Sequence, residues 1–509
     1  MTKSVTKLAY SKQISQVQYL LRQQRWQTTS AATENLKSLK EMPGLSRLPV
    51  IGVVHHFLPV IGKIGYKKTT LDLFKTLEAD FGSIVKLEIF PRSALVVLFD
   101  PEQYDKVYRA EENIPSRPGF LTMTHYRTVM RKDTYDGVYG LTTAEGPQWR
   151  EFRTKVNPAL LMPKLVKLYT PAISEVADDM IKRINNFKDD HNYINSKLHF
   201  EMTKFSLEAI GVVGLGTRLG CLEDNLPEDH PASQLIKAAL DILDLSFKLE
   251  FFPIGFWKYF PTPNFKKIVK ALDTQWDISE KFIKQAKQRI DERKNEILEE
   301  DKSVIERLLE VDEKVAIMMA NEMLMAGIDT VAFSVMAVVY HLARDPERQN
   351  KLREEVRSNE TKRPYLRACI KESLRIWPVV PGNLRRTTKE HVVGGYLLPK
   401  GVDVVSPNEV LSKLEKHYPR PLEYLPERWI VDKSDPLYYG NTNPVVTQPF
   451  GFGIRMCIGR RIAELEMETI IAKIIDNFEV TWDGPPINVV TKVTNTFATP
   501  YSYRFKNIK

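Results

Sequence analysis

Cysteine is scarce in this sequence: 509 residues contain three, Cys221, Cys369 and Cys457, an odd number with no Cys-x-x-Cys spacing. That excludes a disulfide framework and a zinc knuckle, and it fits a reducing compartment. Acidic residues are absent from positions 1–33, whose only charged side chains are Lys3, Lys7, Lys12, Arg22 and Arg25. Five of the nine excess positive charges therefore sit in that stretch, the remainder carries only +4, and no nucleic-acid partner is expected. Residues 1–45 also lack an apolar run of about 20 residues, so no secretory or membrane-anchor helix is expected there. No Gly/Ser-rich linker, internal repeat or low-complexity tract divides the rest of the chain. One large unit over residues 40–509 is the expected organisation.

The first stretch is instead rich in Ser and Thr, with Leu8, Ile14, Val17 and Leu21 at near-helical spacing among the bases. This composition is that of a mitochondrial transit peptide, assigned to residues 1–33. Beyond it, 43% hydrophobic residues supply ample core, and the pattern is mainly α with minor β. The spacing predicts a helix over 69–81, a hairpin of strands 83–89 and 93–99, and a helix opened by Asp100-Pro101. Helices then dominate, over 164–187, 199–213, 235–249, 264–299 and 315–343, with brief strands at 392–393 and 402–405 and a last helix over 459–477. The apolar run 315–343 contains Asn321, Glu322 and Asp329, which are costly in lipid, and it reads as a buried core helix. Gly214, Gly216 and Gly220 superficially resemble a dinucleotide loop, but the third glycine is one residue late and the preceding segment is helical. No bound NAD or FAD is expected.

Phe450-Gly-Phe-Gly453-Ile-Arg455-Met-Cys457-Ile-Gly459 is a glycine-studded loop leading into a helix. Such a loop suits a metal-bound thiolate: glycines let the backbone approach closely, and the following helix N-terminus favours negative charge on sulfur. Its five fixed residues would recur by chance in roughly one chain in ten thousand. Cys221 and Cys369 read as small buried hydrophobes. Ala326-Gly-Ile-Asp329-Thr330 puts an acid, and a glycine that costs about 1 kcal/mol relative to alanine, in the middle of the core helix. Both make sense if the segment lines a cavity. Glu372 and Arg375, three apart, share a helix face.

The Phe-x-x-Gly-x-Arg-x-Cys-x-Gly loop resembles the haem-binding signature of the cytochrome P-450 family, and the resemblance covers nearly all of residues 40–509. It implies that family's fold, a helical haem-binding core with a small β-sheet region. It implies haem b, with Cys457 as axial ligand of the iron and Phe450, Gly453 and Gly459 shaping the loop around it. By the same resemblance Asp329 and Thr330 help deliver protons to dioxygen, and Trp149, Arg153, Arg385 and Arg455 meet the haem propionates. Arg386, beside Arg385, leaves that register open. Glu372, Arg375 and Arg428 resemble the family's buried network under the haem loop. The implied activity is monooxygenation, in which one atom of O2 enters an apolar substrate and the other leaves as water. Electrons come singly from a 2Fe–2S ferredoxin, with NADPH used only indirectly through a ferredoxin reductase. Two rival readings are a haem-thiolate isomerase, whose members tend to lack the Asp329-Thr330 pair, and a haem sensor that would consume no NADPH.

The transit-like start and Gly459-Arg-Arg-Ile-Ala-Glu-Leu-Glu-Met467 resemble the mitochondrial class, insect members in particular. That implies the matrix side of the inner membrane. Arg367 and Lys371, four apart on one helix, resemble the basic pair that docks an acidic ferredoxin, although solvated bases need no function. Segment 247–267 interleaves Phe251, Phe252, Phe256, Trp257, Tyr259 and Phe260 with Lys248, Lys258 and Lys266, which suits peripheral membrane contact or an ordinary covering loop. Val331 stands where a second hydroxyl often occurs, and the 356–367 connection is short. Substrate contacts are expected in 113–145, the aromatic segment and 494–499. They read as apolar, favouring foreign compounds, with ecdysteroid hydroxylation second.

Overall fold

The computed structural model describes residues 36–509 except 50–51, 59–61, 63, 66–69, 91–92, 112–113, 195–197, 252–254, 294–297, 299–300, 359, 492 and 499. The transit segment expected over 1–33 lies outside the described residues. Helix α1 (Thr70–Phe81) leads into strands β1 (Ile84–Phe90) and β2 (Ser93–Leu98), the expected hairpin, with Ile84 opposite Leu98 and Lys86 opposite Val96. Period-two alternation sends Val85, Leu87 and Val97 toward Phe74 and Leu77 of α1. It sends Ile84, Val96 and Leu98 toward Tyr104 and Val107 of α2 (Pro101–Ala110). The Asp100 carboxylate caps α2, accepting from the N–H groups of Glu102 and Gln103. Strands β3 (Asn383–Arg386) and β4 (Asp403–Ser406) join this hairpin in a sheet of order β1-β2-β4-β3, parallel only between β2 and β4.

The helical core begins with α3 (Gly146–Leu161). The single helix expected over 164–187 is two, Pro163–Leu168 and α4 (Thr170–Phe187), divided at Tyr169. Pro171 sits in the first turn of α4, where a missing N–H is harmless, and it cannot continue the preceding helix. Helices α5 (Leu198–Gly214), α6 (Pro231–Phe251) and α7 (Pro263–Asp291) surround α8 (Glu313–Ala343). The part of α8 apolar enough to span a membrane is 83% buried in protein, which makes it the core helix its internal acids predict. A Cβ at Gly327 would come within 3.1 Å of Ile210 Cγ1, so this glycine lets α5 approach α8 closely. Gly214 ends α5, so the glycines that imitate a dinucleotide loop do follow a helix. Helices α9 (Pro364–Ile376) and α10 (Arg460–Asn477) complete the frame of the site. The closing pair β5 (Phe478–Trp482) and β6 (Tyr503–Asn507), antiparallel with Val480 opposite Phe505, is not among the strands the sequence predicts.

Candidate active site

The loop before α10 is folded by its own backbone. Gly451 and Gly453 take left-handed conformations, φ 74° and 64°, that glycine alone adopts without strain. The Cys457 N–H then closes the loop on the Phe450 carbonyl at 2.8 Å. Gly459, with an ordinary φ of −82°, is a different case: a Cβ there would meet no protein atom, so glycine keeps space open. That space belongs to a cavity of about 180 Å³ that Cys457, Ile458 and Gly459 line together. Burial pushes the Cys457 thiol up from its ordinary pKa, while the Gly459 N–H and the charges of Arg153, Arg117 and Arg460 draw it back.

Helix α8 supplies another wall. Met319, Met323, Ala326, Gly327 and Thr330 recur at three- and four-residue spacing and share the cavity face. The Thr330 hydroxyl donates to the Ala326 carbonyl at 2.6 Å, the usual back-bond of a helical threonine. Asp329, about 100° round the helix from Thr330, does not line the cavity as expected. Its Oδ2 accepts from the Thr494 hydroxyl at 3.1 Å, and its Oδ1 lies 3.1 Å from His199 Nε2. Thr494 therefore serves Asp329 and does not line the cavity, nor do the other described residues of 494–499; of segment 113–145, Arg117, Leu141 and Thr142 do.

Cations gather at one edge. Arg455 donates to the carbonyls of Pro115, Leu141 and Ala144 and to Glu145 Oε1 at 3.1–3.2 Å, and its guanidinium lies 4.0 Å from the Trp149 ring centre. Arg153 gives one bond to the Met456 carbonyl at 3.1 Å, and its buried Nε has no acceptor among the described residues. Arg385, over the Tyr108 ring at 4.7 Å, reaches only the Leu384 and Phe452 carbonyls among the described residues. Its neighbour Arg386 is held in a bidentate pair with Asp403, which leaves Arg385 as the buried member of the two. Arg117 is a fourth guanidinium, on the cavity wall. Burial, and then repulsion among these groups, holds Arg455 down to about 9, against the attraction of Glu145. Burial also holds Arg153 down to about 10.

These four cations have two carboxylates near them, Glu145 and Glu322, and Glu322 is already held by buried Arg127, so the group is short of anions. Among the described residues no three His, Cys, Asp or Glu side chains are grouped to hold a metal ion, so a bare ion has no ligand set beside the lone thiol. The donors fit a group that brings its own equatorial ligands and two carboxylates, which is what haem b brings. Glu466, another cavity residue, has a carboxyl that burial pushes far above its usual range, and its Oε1 has no partner among the described residues.

Beside the loop, Glu372 accepts from both Nε and Nη2 of Arg375 (2.9 and 2.8 Å), Arg428 Nε (3.1 Å), the Trp429 indole (3.0 Å) and the Leu425 N–H (3.1 Å). All three charged side chains are fully buried. Arg367 and Lys371 are on the surface of α9, the first paired with Glu468 and the second over the Trp429 ring. In the aromatic segment Phe256, Tyr259 and Phe260 are exposed, whereas Trp257 is buried against Phe265 and Lys248 is paired with Asp244. Phe252 and the side chain of Phe251 lie outside the described residues.

Sequence reasoning missed Arg117, Glu145, His199 and Glu466. A lone Arg between Pro115-Ser116 and Pro118 carries no periodic signal, and the others become visible only through partners far away in the chain. Comparison with known proteins bears on the whole chain. The family profile described as Cytochrome P450 matches residues 42–504. The chain is 37% identical to cytochrome P450 CYP12A2 of Musca domestica, over 94% of this chain and 93% of that one. It is 34% identical to the probable mitochondrial cytochrome P450 12a5 of Drosophila melanogaster, over 96% of each. It is 32% identical to mitochondrial cytochrome P450 12b1 of Drosophila acanthoptera, over 88% of this chain and 85% of that one.

Proposed function

The chain belongs to the cytochrome P450 family of haem-b monooxygenases, and on that premise we propose that it oxidises apolar foreign compounds in the mitochondrial matrix. The observation that carries this reading is the shared cavity: one thiol, the Thr330 face of α8 and the guanidiniums of Arg117, Arg153 and Arg455, with Arg385 near enough to repel them. Cys457 would be the axial ligand, with Phe450, Gly453 and Gly459 giving its loop the close approach it needs. Trp149, Arg153, Arg385 and Arg455, joined by Arg117, would hold the propionates. Bound haem supplies the iron at which dioxygen is activated, with electrons arriving singly from a 2Fe–2S ferredoxin and NADPH used only through a ferredoxin reductase.

Thr330 presents its hydroxyl oxygen to the cavity while its proton rests on the Ala326 carbonyl. Asp329, the next residue round the same turn, would relay protons toward Thr330 from its place between the Thr494 hydroxyl and His199 Nε2. Leu141, Leu160, Ile210, Met319, Met323 and Val331 make much of the wall apolar, beside the polar Thr142, Glu322 and Glu466. Two flexible methionines among them adapt to varied shapes, which favours foreign compounds over a single ecdysteroid. The matrix assignment rests on the mitochondrial names of relatives and on the transit segment 1–33 ahead of the catalytic unit 40–509. Arg367 and Lys371 would dock the ferredoxin, and exposed Phe256, Tyr259 and Phe260 would touch the inner membrane from the matrix side.

The ligand assignment is tested by the ferrous–CO spectrum: the red-shifted Soret band of thiolate ligation is expected, and its survival in Cys457→His would overturn the assignment. The substrate reading is tested by type I spectral titration with a panel of ecdysteroids and foreign apolar compounds. Shifts across many scaffolds support it, and a tight response confined to ecdysteroids would reverse it.

A further inference from the structure

Arg367 and Lys371 stand four residues apart on α9, and Glu464 and Glu468 stand four apart on α10, which α9 packs against. Arg367 grips Glu468 with both arms of its fork, Nε to Oε1 at 2.9 Å and Nη2 to Oε2 at 3.2 Å. Glu464 accepts from Arg460 Nε at 2.8 Å, and Arg460 is three residues beyond Cys457. One of the two bases proposed for docking is therefore already held by a carboxylate of its own chain, on the helix that leaves the thiol loop. The hold is weak enough to exchange: the Arg367 side chain is 59% exposed, and water screens such a pair. Lys371 is held differently, its ammonium 5.6 Å from the Trp429 ring centre and attracted by Glu464 and Glu468 without an ion pair to either among the described residues.

Resting on the reading that this face docks an acidic ferredoxin, we propose that Glu468 is an intrachain competitor for the ferredoxin's carboxylates and sets the affinity of docking. To engage Arg367 a partner must present a carboxylate in the planar geometry that Glu468 now occupies; one that cannot gains only Lys371. Glu464 and Glu468 also face an acidic partner with like charge, which slows encounter with any ferredoxin that does not displace them. Glu468 is thus a specificity-determining residue of the docking face, acting through Arg367.

The test is equilibrium binding of the haem-loaded protein to immobilised mitochondrial 2Fe–2S ferredoxin, at low and at high ionic strength. Glu468→Gln keeps the side chain's shape, and an unchanged thermal midpoint shows that it is folded. It is expected to bind about two- to five-fold more tightly at low ionic strength, with the gain vanishing at high ionic strength and in an Arg367→Gln background. Unchanged or weaker binding overturns the proposal. The double variant Arg367→Gln/Lys371→Gln separates the two levels. If it loses binding while Glu468→Gln gains none, only the competitor role falls; if it binds like the unaltered protein, the docking reading falls and the competitor with it.

Discussion

Two arginine clusters are buried in this molecule, and they meet the cost of enclosed charge in opposite ways. Around Glu372 two guanidiniums share a carboxylate that is also held by an indole and a backbone N–H. The carbonyls of Ser412, Glu423 and Arg420 accept from their other arms. Around the cavity Arg117, Arg153 and Arg455, with Arg385 near them, have Glu145, which accepts from Arg455 and the backbone of Arg117, and Glu322, which Arg127 already holds. The first cluster is charge-paired within the protein and acts as a brace, with Arg428 Nη1 its one arm that has no acceptor among the described residues. The second is open, and its missing anions are the best description of what it binds.

This contrast predicts effects of different kind. Glu372→Gln leaves two buried guanidiniums without a counter-charge and should destabilise the fold by about 3–5 kcal/mol, read from urea unfolding. A cost below about 1 kcal/mol would place it with exposed pairs and erase the distinction. Arg153→Gln removes one of four mutually repelling cations and one bond to the Met456 carbonyl. Its haem-free form should stay within about 1 kcal/mol of the unaltered protein, while haem leaves about 10- to 100-fold faster, the equivalent of one charge-assisted hydrogen bond. Haem transfer to a scavenger protein measures the rate. A haem-free form as unstable as Glu372→Gln would make the cavity cluster a second brace.

In the sequence the Glu372 cluster is legible in all its charged members, the cavity cluster only without Arg117 and Glu145, and neither motif tells of this difference. Helix starts with their own chemistry, such as Asp100-Pro101, are visible because the cap is local. The break at Tyr169 escapes because Pro171 serves the first turn of the next helix and looks tolerable within one long periodic segment. The pair β5 and β6 escapes because the two strands are short and separated by some twenty residues. At the site, the Cys457 loop is readable because its glycines are demanded by backbone angles. Asp329 is readable as a costly acid, but not its direction: one residue of helix rotation takes it off the cavity to His199.

The smallest expected effect tests the register of the open cluster. Arg385 and Arg386 are adjacent in β3, and a strand sends neighbours to opposite faces. Arg386 reaches Asp403 across the β3–β4 pair at 2.7 and 2.9 Å with a side chain 42% exposed, while Arg385 is buried against Tyr108 with carbonyls as its only acceptors among the described residues. Arg386→Gln should therefore cost at most about 1 kcal/mol of stability and leave haem loss unchanged. Arg385→Gln should hasten haem loss as Arg153→Gln does. The reverse pattern would mean that the pair with Asp403 exchanges for a propionate when haem binds. The boundary between the closed and open kinds of cluster would then run through that ion pair.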